Sequence, residues 1–249
     1  MGEERYADRI REIKKQQRRQ AQCRRLIGQL IIILFVFLFG FLLGRGCGKS
    51  TEVMAEGGFE PVQTTLKIRD GTNENETKEI ILPSYIDKQY LTINPYSRPG
   101  DKVKQVNAIV VHYIGNPGTT AQQNRNFFES LAETGDDYMS SNFVVGLEGE
   151  VIACVPLGEI AYASNERNSD TVSIETCHPD STGKFESDTY DSLVKLTAWL
   201  CKTYELDPLN GGVMRHHDVT GKFCPKYFVD NPAVWEQFKK DVQKKMESL

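Results

Sequence analysis

Histidine is scarce in this chain: among 249 residues there are four, at positions 112, 178, 216 and 217. A site built on imidazole must therefore draw on this small set. Positive charge is also scarce beyond the N-terminus. Residues 1–25 hold nine Lys and Arg against four acidic residues, whereas the whole chain has a formal net charge of −4, so the remainder carries −9. Such an acidic body excludes nucleic acid as the expected partner, because phosphate backbones are bound by basic surfaces.

The cysteines lack the spacing of a disulfide framework. There are six in the chain: Cys23, Cys47, Cys154, Cys177, Cys201 and Cys224. They are widely separated, whereas disulfide-stapled domains are short and rich in cysteine. Most are therefore expected to be small, buried apolar residues. The chain also lacks internal repeats, so one domain with appendages is the expected organisation.

One long apolar run occupies residues 26–43, with the sequence LIGQLIIILFVFLFGFLL, in which Gln29 is the only strongly polar residue. Eighteen helical residues reach roughly 27 Å, close to the thickness of a bilayer core of about 30 Å. A buried helix of a soluble domain would show a polar stripe, and this run has none. The run therefore predicts a transmembrane helix in the lipid bilayer, with the basic residues 1–25 in the cytosol and the rest outside.

Two other processing routes fit this segment less well. A cleaved signal peptide would have an unusually long basic region here, and Gly44-Arg45-Gly46 lacks the small-x-small cleavage pattern. Cys47 suggests a lipoprotein, but Arg45 fits poorly two residues before the modified cysteine. An uncleaved, single-pass membrane anchor is the prediction.

Composition divides the chain into four segments. A basic cytoplasmic tail is predicted for residues 1–25, a transmembrane helix for residues 26–43, a polar extracellular linker for residues 44–82 and a globular domain for residues 83–249. The linker is rich in Gly, Thr, Asn and Glu and has few large apolar residues, which is typical of a spacer.

Helical and strand patterns interleave in the last segment. Strands are predicted at residues 108–113, 142–147, 151–155, 171–177 and 212–216, and helices at residues 122–133, 188–204 and from 232 onward. In the last helix, Trp235, Phe238 and Val242 are expected to face inward. The predicted fold class is α/β (α+β), with a single mixed central β-sheet flanked by helices.

Two histidines and one cysteine lie where a metal site could form. His112 ends the apolar run AIVVHY, His216 follows another short strand, and Cys224 comes eight residues later. Two imidazoles and a thiolate are three ligands, which leaves a fourth tetrahedral position open, as in catalytic zinc sites. His217 is an alternative to His216. Neighbours on a strand face opposite sides, so only one of them can point into the site, and the pattern does not decide which.

Five ordered motifs carry a resemblance to a known family: NPYSRPG (94–100), IVVHYIGNPGTTA (109–121), NFVVGLEGEVI (142–152), SIETCHPD (173–180) and RHHDVTGKFCPKYF (215–228). In this order they resemble the zinc N-acetylmuramoyl-L-alanine amidases, which share a fold with peptidoglycan recognition proteins. The resemblance covers about residues 90–242. It implies Zn²⁺ as cofactor, bacterial peptidoglycan as substrate, and hydrolysis of the bond between N-acetylmuramic acid and L-alanine. The predicted anchor independently places the domain outside the bacterial cell membrane, where peptidoglycan lies.

The resemblance also implies roles for single residues. His112, His216 and Cys224 match the zinc ligands, and His217 is then an outer residue. Glu175 matches a catalytic glutamate that serves as general base and then acid, and Lys222 matches a lysine that stabilises the oxyanion. Asp218 is expected to orient His216 or nearby backbone from outside the ligand shell.

One position departs from the family pattern: Ser141 stands where some relatives carry a tyrosine near the metal. Glu175 is therefore the residue expected to transfer the proton. Tyr113, Asn116 and Asn142 border the predicted site along the chain and are expected to touch glycan or peptide. The domain is expected to act as a monomer.

Two alternatives stay open. Relatives that lose the third ligand bind peptidoglycan without cutting it, so a recognition module is one. A metal-free hydrolase with Cys224 as nucleophile is the other, although no helix N-terminus is evident to lower its pKa.

Overall fold

The computed structural model of this protein describes residues 80–249. The predicted cytoplasmic tail, the predicted transmembrane helix and the linker up to residue 79 lie outside the described residues. Between residues 80 and 249, no helix combines the length and the apolar character that crossing a membrane requires.

A mixed sheet forms the centre of the described part of the chain. Its strands are β1 (Ile86–Lys88), β2 (Ala108–Val111), β3 (Phe143–Val145), β4 (Val151–Ala153), β5 (Thr171–Thr176) and β6 (Val213–Arg215). They lie in the order β1-β4-β3-β5-β2-β6. The pair β3–β4 is antiparallel and the other pairs are parallel. The predicted mixed sheet and its β3–β4 hairpin are confirmed.

Helices lie on both sides of this sheet. They are α1 (Ala121–Thr134), α2 (Ser187–Tyr204), α3 (His216–Thr220), α4 (Lys226–Asp230) and α5 (Pro232–Glu247), together with a 3₁₀ helix at Asn165–Ser169. The three long helices confirm the predictions. The short elements β1, α3, α4 and the 3₁₀ helix were not predicted, because three to five residues carry too little periodicity.

Both faces of the sheet are buried. Along the β3–β4 hairpin, Phe143 and Val151 pack into one core cluster with residues of α2 and α5. Their neighbours Val144 and Ile152 pack into a second cluster with residues of α1. Because side chains alternate across a strand, burial on both faces makes the strands continuous apolar runs rather than alternating ones. Trp235, Phe238 and Val242 are buried on α5, as predicted.

Helix α1 has well-defined ends that fix its position over the sheet. The Thr120 side chain accepts a hydrogen bond from the Gln123 backbone, and the Gln123 side chain accepts one from the Thr120 backbone, which forms a capping box. Gly135 ends the helix with φ 57°, in the left-handed region where glycine has no steric penalty.

A buried ion pair joins the loop before β2 to the loop after β4. Glu159 is 3% exposed and accepts hydrogen bonds from Arg98 Nε at 2.7 Å and from Lys102 Nζ at 3.1 Å. Burial acts to raise the pKa of this carboxyl, but the hydrogen bonds and charges of Arg98 and Lys102 hold it below its ordinary value. A carboxylate with a lowered pKa stabilises the fold above the unfolded value of about 4.3, and this contribution is lost as the pH falls.

We expect Glu159→Gln to lower the free energy of unfolding by about 3 kcal/mol at pH 7, because Arg98 is left as a partly buried charge without its partner. The difference from the wild type should narrow as the pH falls below about 4.3, the pKa of an unfolded glutamate, towards the lower folded pKa of Glu159. Urea unfolding of the full chain, followed by tryptophan fluorescence at several pH values, measures this. A difference independent of pH would contradict an electrostatic origin.

Candidate metal centre

The register of three parallel strands brings three predicted site residues side by side. Val111 of β2 pairs with Ile174 of β5 on one side and with Arg215 of β6 on the other. The residues that directly follow these three positions are therefore level with one another. They are His112, Glu175 and His216. The site consequently lies at the carboxyl ends of these strands, where α/β folds commonly bind ligands.

A tight loop adds the fourth residue. Helix α3 ends at Gly221, whose φ of 74° reverses the chain. The returning segment is held by a hydrogen bond from the His217 backbone N–H to the Cys224 carbonyl, at 2.8 Å. The position of Cys224 therefore depends on α3, the helix that begins at His216. The predicted strand at residues 212–216 ends at Arg215 instead, because His216 is the first residue of α3.

The three predicted ligands converge. One donor atom from each of His112, His216 and Cys224 lies within 4.8 Å of the other two, and all three residues are buried. The Cys224 Sγ is 3.9 Å from His112 Nδ1, and Glu175 Oε1 is 3.8 Å from the same nitrogen. His217 lies outside this group and donates from Nδ1 to the Lys222 carbonyl at 2.8 Å. The structure thus selects the first histidine of the pair.

The two converging imidazoles are neutral. Burial lowers the pKa of His112 well below its ordinary value, and the charges of His216 and Lys222 lower it further. Burial and then Lys222 lower the pKa of His216 to about 4. A neutral imidazole has a lone pair free on one nitrogen, as metal coordination requires.

Burial raises the pKa values of Glu175 and Cys224, whereas it lowers those of the two imidazoles. Burial raises the pKa of Glu175 to about 8, against a smaller lowering effect of Lys222. Burial also raises the pKa of the Cys224 thiol, and Glu175 raises it further. Glu175 Oε2 is buried and has no hydrogen-bond partner among the described residues. Burial therefore favours the neutral forms of both groups, and a cation bound beside them would stabilise the thiolate and the carboxylate.

Lys222 supplies positive charge at the rim of this space. Its charge lowers the pKa values of His112, His216, Glu175 and Cys224 alike. The residue itself is exposed. Lys222 is therefore a solvent-accessible cation next to a buried donor cluster.

Asp218 does not contact His216. Its carboxylate accepts hydrogen bonds from the Arg215 side chain at 2.7 Å and from the Arg215 backbone N–H at 2.9 Å. It therefore orients nearby backbone, the second of the two roles expected for it.

Sequence reasoning missed the residues that contact the imidazoles. Ser164 Oγ is 3.1 Å from His112 Nε2, and Asn165 Oδ1 is 3.2 Å from His216 Nε2. Both lie at the start of the short 3₁₀ helix, in a segment with no chemical motif of its own, so no local signal could have found them.

The expected substrate contacts have different surroundings. Asn116 is exposed in the loop after β2, and the half-buried Tyr113 ring stacks on His178, with ring centroids 5.0 Å apart. Asn142 is 1% exposed, and its Oδ1 accepts a hydrogen bond from the Ser173 backbone at 2.9 Å. The expectation that Asn142 contacts substrate was therefore wrong, because its amide is used inside the sheet.

Ser141, at the position that departs from the family pattern, is also enclosed. Its hydroxyl is 2.8 Å from the Phe143 carbonyl oxygen and 3.0 Å from that of Ser173. The hydroxyl is bonded to strand backbone and is not a proton-transfer group for the cluster.

Comparison with known families agrees with this geometry. The family profile described as N-acetylmuramoyl-L-alanine amidase matches residues 102–227, which is half of the chain and includes every residue of the cluster. The chain belongs to the N-acetylmuramoyl-L-alanine amidase family. The resemblance inferred from the five motifs is confirmed.

Individual relatives of this amidase family are moderately similar in sequence. N-acetylmuramoyl-L-alanine amidase BlyA of Bacillus subtilis (strain 168) is 31% identical over 183 residues, which are 66% of this chain and 48% of BlyA. N-acetylmuramoyl-L-alanine amidase CwlL of Bacillus licheniformis is 30% identical over 167 residues, which are 62% of this chain and 46% of CwlL. The chain thus spans about half the length of these relatives.

Solved structures share the fold of this domain. The structure of PlyL superposes with a TM-score of 0.53 at 21% identity, over 63% of this chain and 96% of PlyL. At this identity the likeness establishes the fold alone: a mixed sheet with flanking helices.

The residues of the cluster fit a zinc ion. Two neutral imidazoles and a thiol form a donor set that zinc prefers, and three protein ligands leave one position open. The buried Glu175 Oε2 has no hydrogen-bond partner among the described residues, which is consistent with a polar or cationic group binding beside the cluster.

We expect the wild type to bind about one zinc ion per chain and His216→Ala to lose it, because two ligands rarely retain zinc. His217→Ala is the matched control and should keep the metal, since its ring bonds to the Lys222 carbonyl. Metal analysis after gel filtration measures both. Loss of zinc from His217→Ala with retention in His216→Ala would reverse the assignment.

Proposed function

We propose that this protein is a zinc-dependent N-acetylmuramoyl-L-alanine amidase that hydrolyses the amide between the lactyl group of N-acetylmuramic acid and L-alanine in peptidoglycan. The observation that carries the proposal is the convergence of His112, His216 and Cys224 beside the buried carboxyl of Glu175. Family membership supports the same reaction.

The chain would hold the metal through the two imidazoles and the thiolate. When bound there, zinc supplies Lewis-acid polarisation of the scissile carbonyl and activation of water at neutral pH. Burial of all three ligands excludes bulk solvent from that side, which strengthens the electrostatic interactions of the site.

Glu175 serves as general base and then as general acid. Its Oε1 lies 3.8 Å from His112 Nδ1 and therefore borders the ligand cluster, while its Oε2 has no partner within the described residues and is free to take a proton. The carboxylate accepts a proton from the attacking water and returns it to the amine that leaves with the stem peptide. The Ser141 hydroxyl is bonded to the Phe143 carbonyl and is not available for proton transfer, so this role is assigned to Glu175.

Lys222 stabilises the negative charge that develops on the carbonyl oxygen. It is an exposed cation whose field already reaches Glu175 and the ligands. A fixed positive charge near the oxyanion stabilises the transition state more than the neutral ground state, which raises the rate of the chemical step.

The cluster also weighs against the two alternatives. A nucleophilic cysteine needs a lowered pKa, whereas burial raises the pKa of Cys224. A recognition module that only binds peptidoglycan needs neither a third ligand nor a buried carboxyl beside the cluster, and this chain has both.

We expect Glu175→Gln to lower kcat by about 10²–10⁴-fold, because an amide cannot transfer the proton. The variant should still bind zinc, since Glu175 is not one of the grouped donors. Release of new alanine amino termini from purified peptidoglycan gives the rate, and metal analysis gives the occupancy. Undiminished hydrolysis by Glu175→Gln would exclude the assigned role, and wild-type activity that survives complete removal of the metal would exclude a zinc mechanism.

We further propose that the protein is a monomer anchored in the bacterial cell membrane by residues 26–43, with residues 1–25 in the cytosol and the amidase domain outside. The apolar run with basic residues on its N-terminal side supports this topology. An external domain would also lie on the side of the membrane where peptidoglycan is found.

The cysteines provide a test of topology. Cys154, Cys177, Cys201 and Cys224 are at most 9% exposed in the folded domain. A membrane-impermeant maleimide applied to wall-free cells should therefore label Cys47 and leave Cys23 unlabelled until the membrane is permeabilised. Cys47→Ser and Cys23→Ser are the matched controls. Labelling of Cys23 before permeabilisation would contradict the orientation, and a mature N-terminus beyond Gly46 would show a cleaved signal peptide.

A further inference from the structure

One turn of the chain contacts both metal-site histidines through consecutive residues. Ser164 Oγ lies 3.1 Å from His112 Nε2, and Asn165 Oδ1 lies 3.2 Å from His216 Nε2. The two imidazole rings are adjacent, with centroids 4.5 Å apart. Two consecutive side chains thus each form a hydrogen bond with the Nε2 atom of one ring.

These contacts determine which nitrogen is available to a metal. A carboxamide oxygen can only accept, so Asn165 requires the hydrogen of His216 on Nε2 and leaves the lone pair on Nδ1. The Ser164 hydroxyl can donate or accept, and as an acceptor it favours the same tautomer of His112, with the hydrogen on Nε2. His112 Nδ1 is the nitrogen that faces Cys224 and Glu175, at 3.9 and 3.8 Å.

The turn is built to hold this arrangement. Asn165 has φ 54°, a left-handed conformation that asparagine tolerates better than most residues. The Asn168 side chain accepts from the backbone N–H groups of Ala163 and Ser164, at 3.1 and 2.6 Å. Side-chain hydrogen bonds therefore fix the backbone on the N-terminal side of Asn165.

The C-terminal side of the turn is tied to the sheet. Arg167 pairs with Asp170 at 2.7 Å and donates to Met214 Sδ at 3.5 Å. Thr171, the first residue of β5, donates from its hydroxyl to the Arg167 carbonyl at 2.6 Å. The turn is thereby held against β5, which contains Glu175, and β6, which precedes His216.

We infer that Ser164 and Asn165 are positioning residues that select the Nδ1-coordinating tautomers of His112 and His216 and so set the zinc affinity of the site. The inference rests on the proposed zinc amidase function and adds two residues to it. Partners of this kind typically contribute 10–100-fold to metal affinity.

The test measures zinc affinity by competition with a chromophoric chelator in the full-length protein. Asn165→Gly keeps the left-handed backbone and removes the acceptor, and Ser164→Ala removes the hydroxyl with little change in volume. Each should weaken zinc binding by about tenfold or more. Asn165→Asp, which retains an acceptor oxygen, should restore affinity to near the wild-type value. Asn126→Ala and Ser130→Ala, on the exposed side of α1, are the matched controls.

Cobalt substitution gives a second readout, because the thiolate-to-cobalt and ligand-field absorption bands report ligand geometry. These bands should shift in Asn165→Gly and Ser164→Ala but not in the α1 controls. Unchanged zinc affinity in both site variants would overturn the inference, as would an Asn165→Asp protein that binds as weakly as Asn165→Gly. A wild type that binds no zinc would instead refute the proposed function itself.

Discussion

The parallel register of β5, β2 and β6 is the constraint on which the site depends. Because Val111 is level with both Ile174 and Arg215, the three residues that follow these positions must lie side by side. Hydrogen bonds between strands fix this alignment, and burial of both sheet faces prevents slippage, since a shift of one residue would turn every side chain to the wrong face. The chemistry of the domain thus follows from strand pairing in its core.

Burial gives the clustered groups their chemical character. The same low-dielectric surroundings keep His112 and His216 neutral and disfavour the charged forms of Glu175 and Cys224. A divalent cation would offset the cost of placing a thiolate and a carboxylate there. Lys222 contributes charge from the rim without filling the space. The cluster is consequently better suited to metal-assisted hydrolysis than to cysteine nucleophilic chemistry.

Prediction from sequence succeeded where local pattern carried information. The run AIVVHY placed His112 after a buried strand, and the apolar periodicity of α5 identified Trp235 and Phe238 as core residues. It failed at short elements and at contacts between distant segments. His216 begins a helix of five residues, too short to show a period, and Asn142 lies inside the sheet although its position in the chain suggested the site.

The sequence by itself determined the types of residue available, the identity of the long elements and, through its ordered motifs, the family. The residue pattern alone left open which histidine of the adjacent pair joins His112; the resemblance implied His216, and the tertiary structure brings His216 to the cluster. Only the tertiary structure decided that Ser164 and Asn165 contact the two rings. The physical reason is separation along the chain: His112 and Cys224 are 112 residues apart. Local periodicity reports which face a side chain takes on its own element, whereas contacts over such distances depend on how the elements pack.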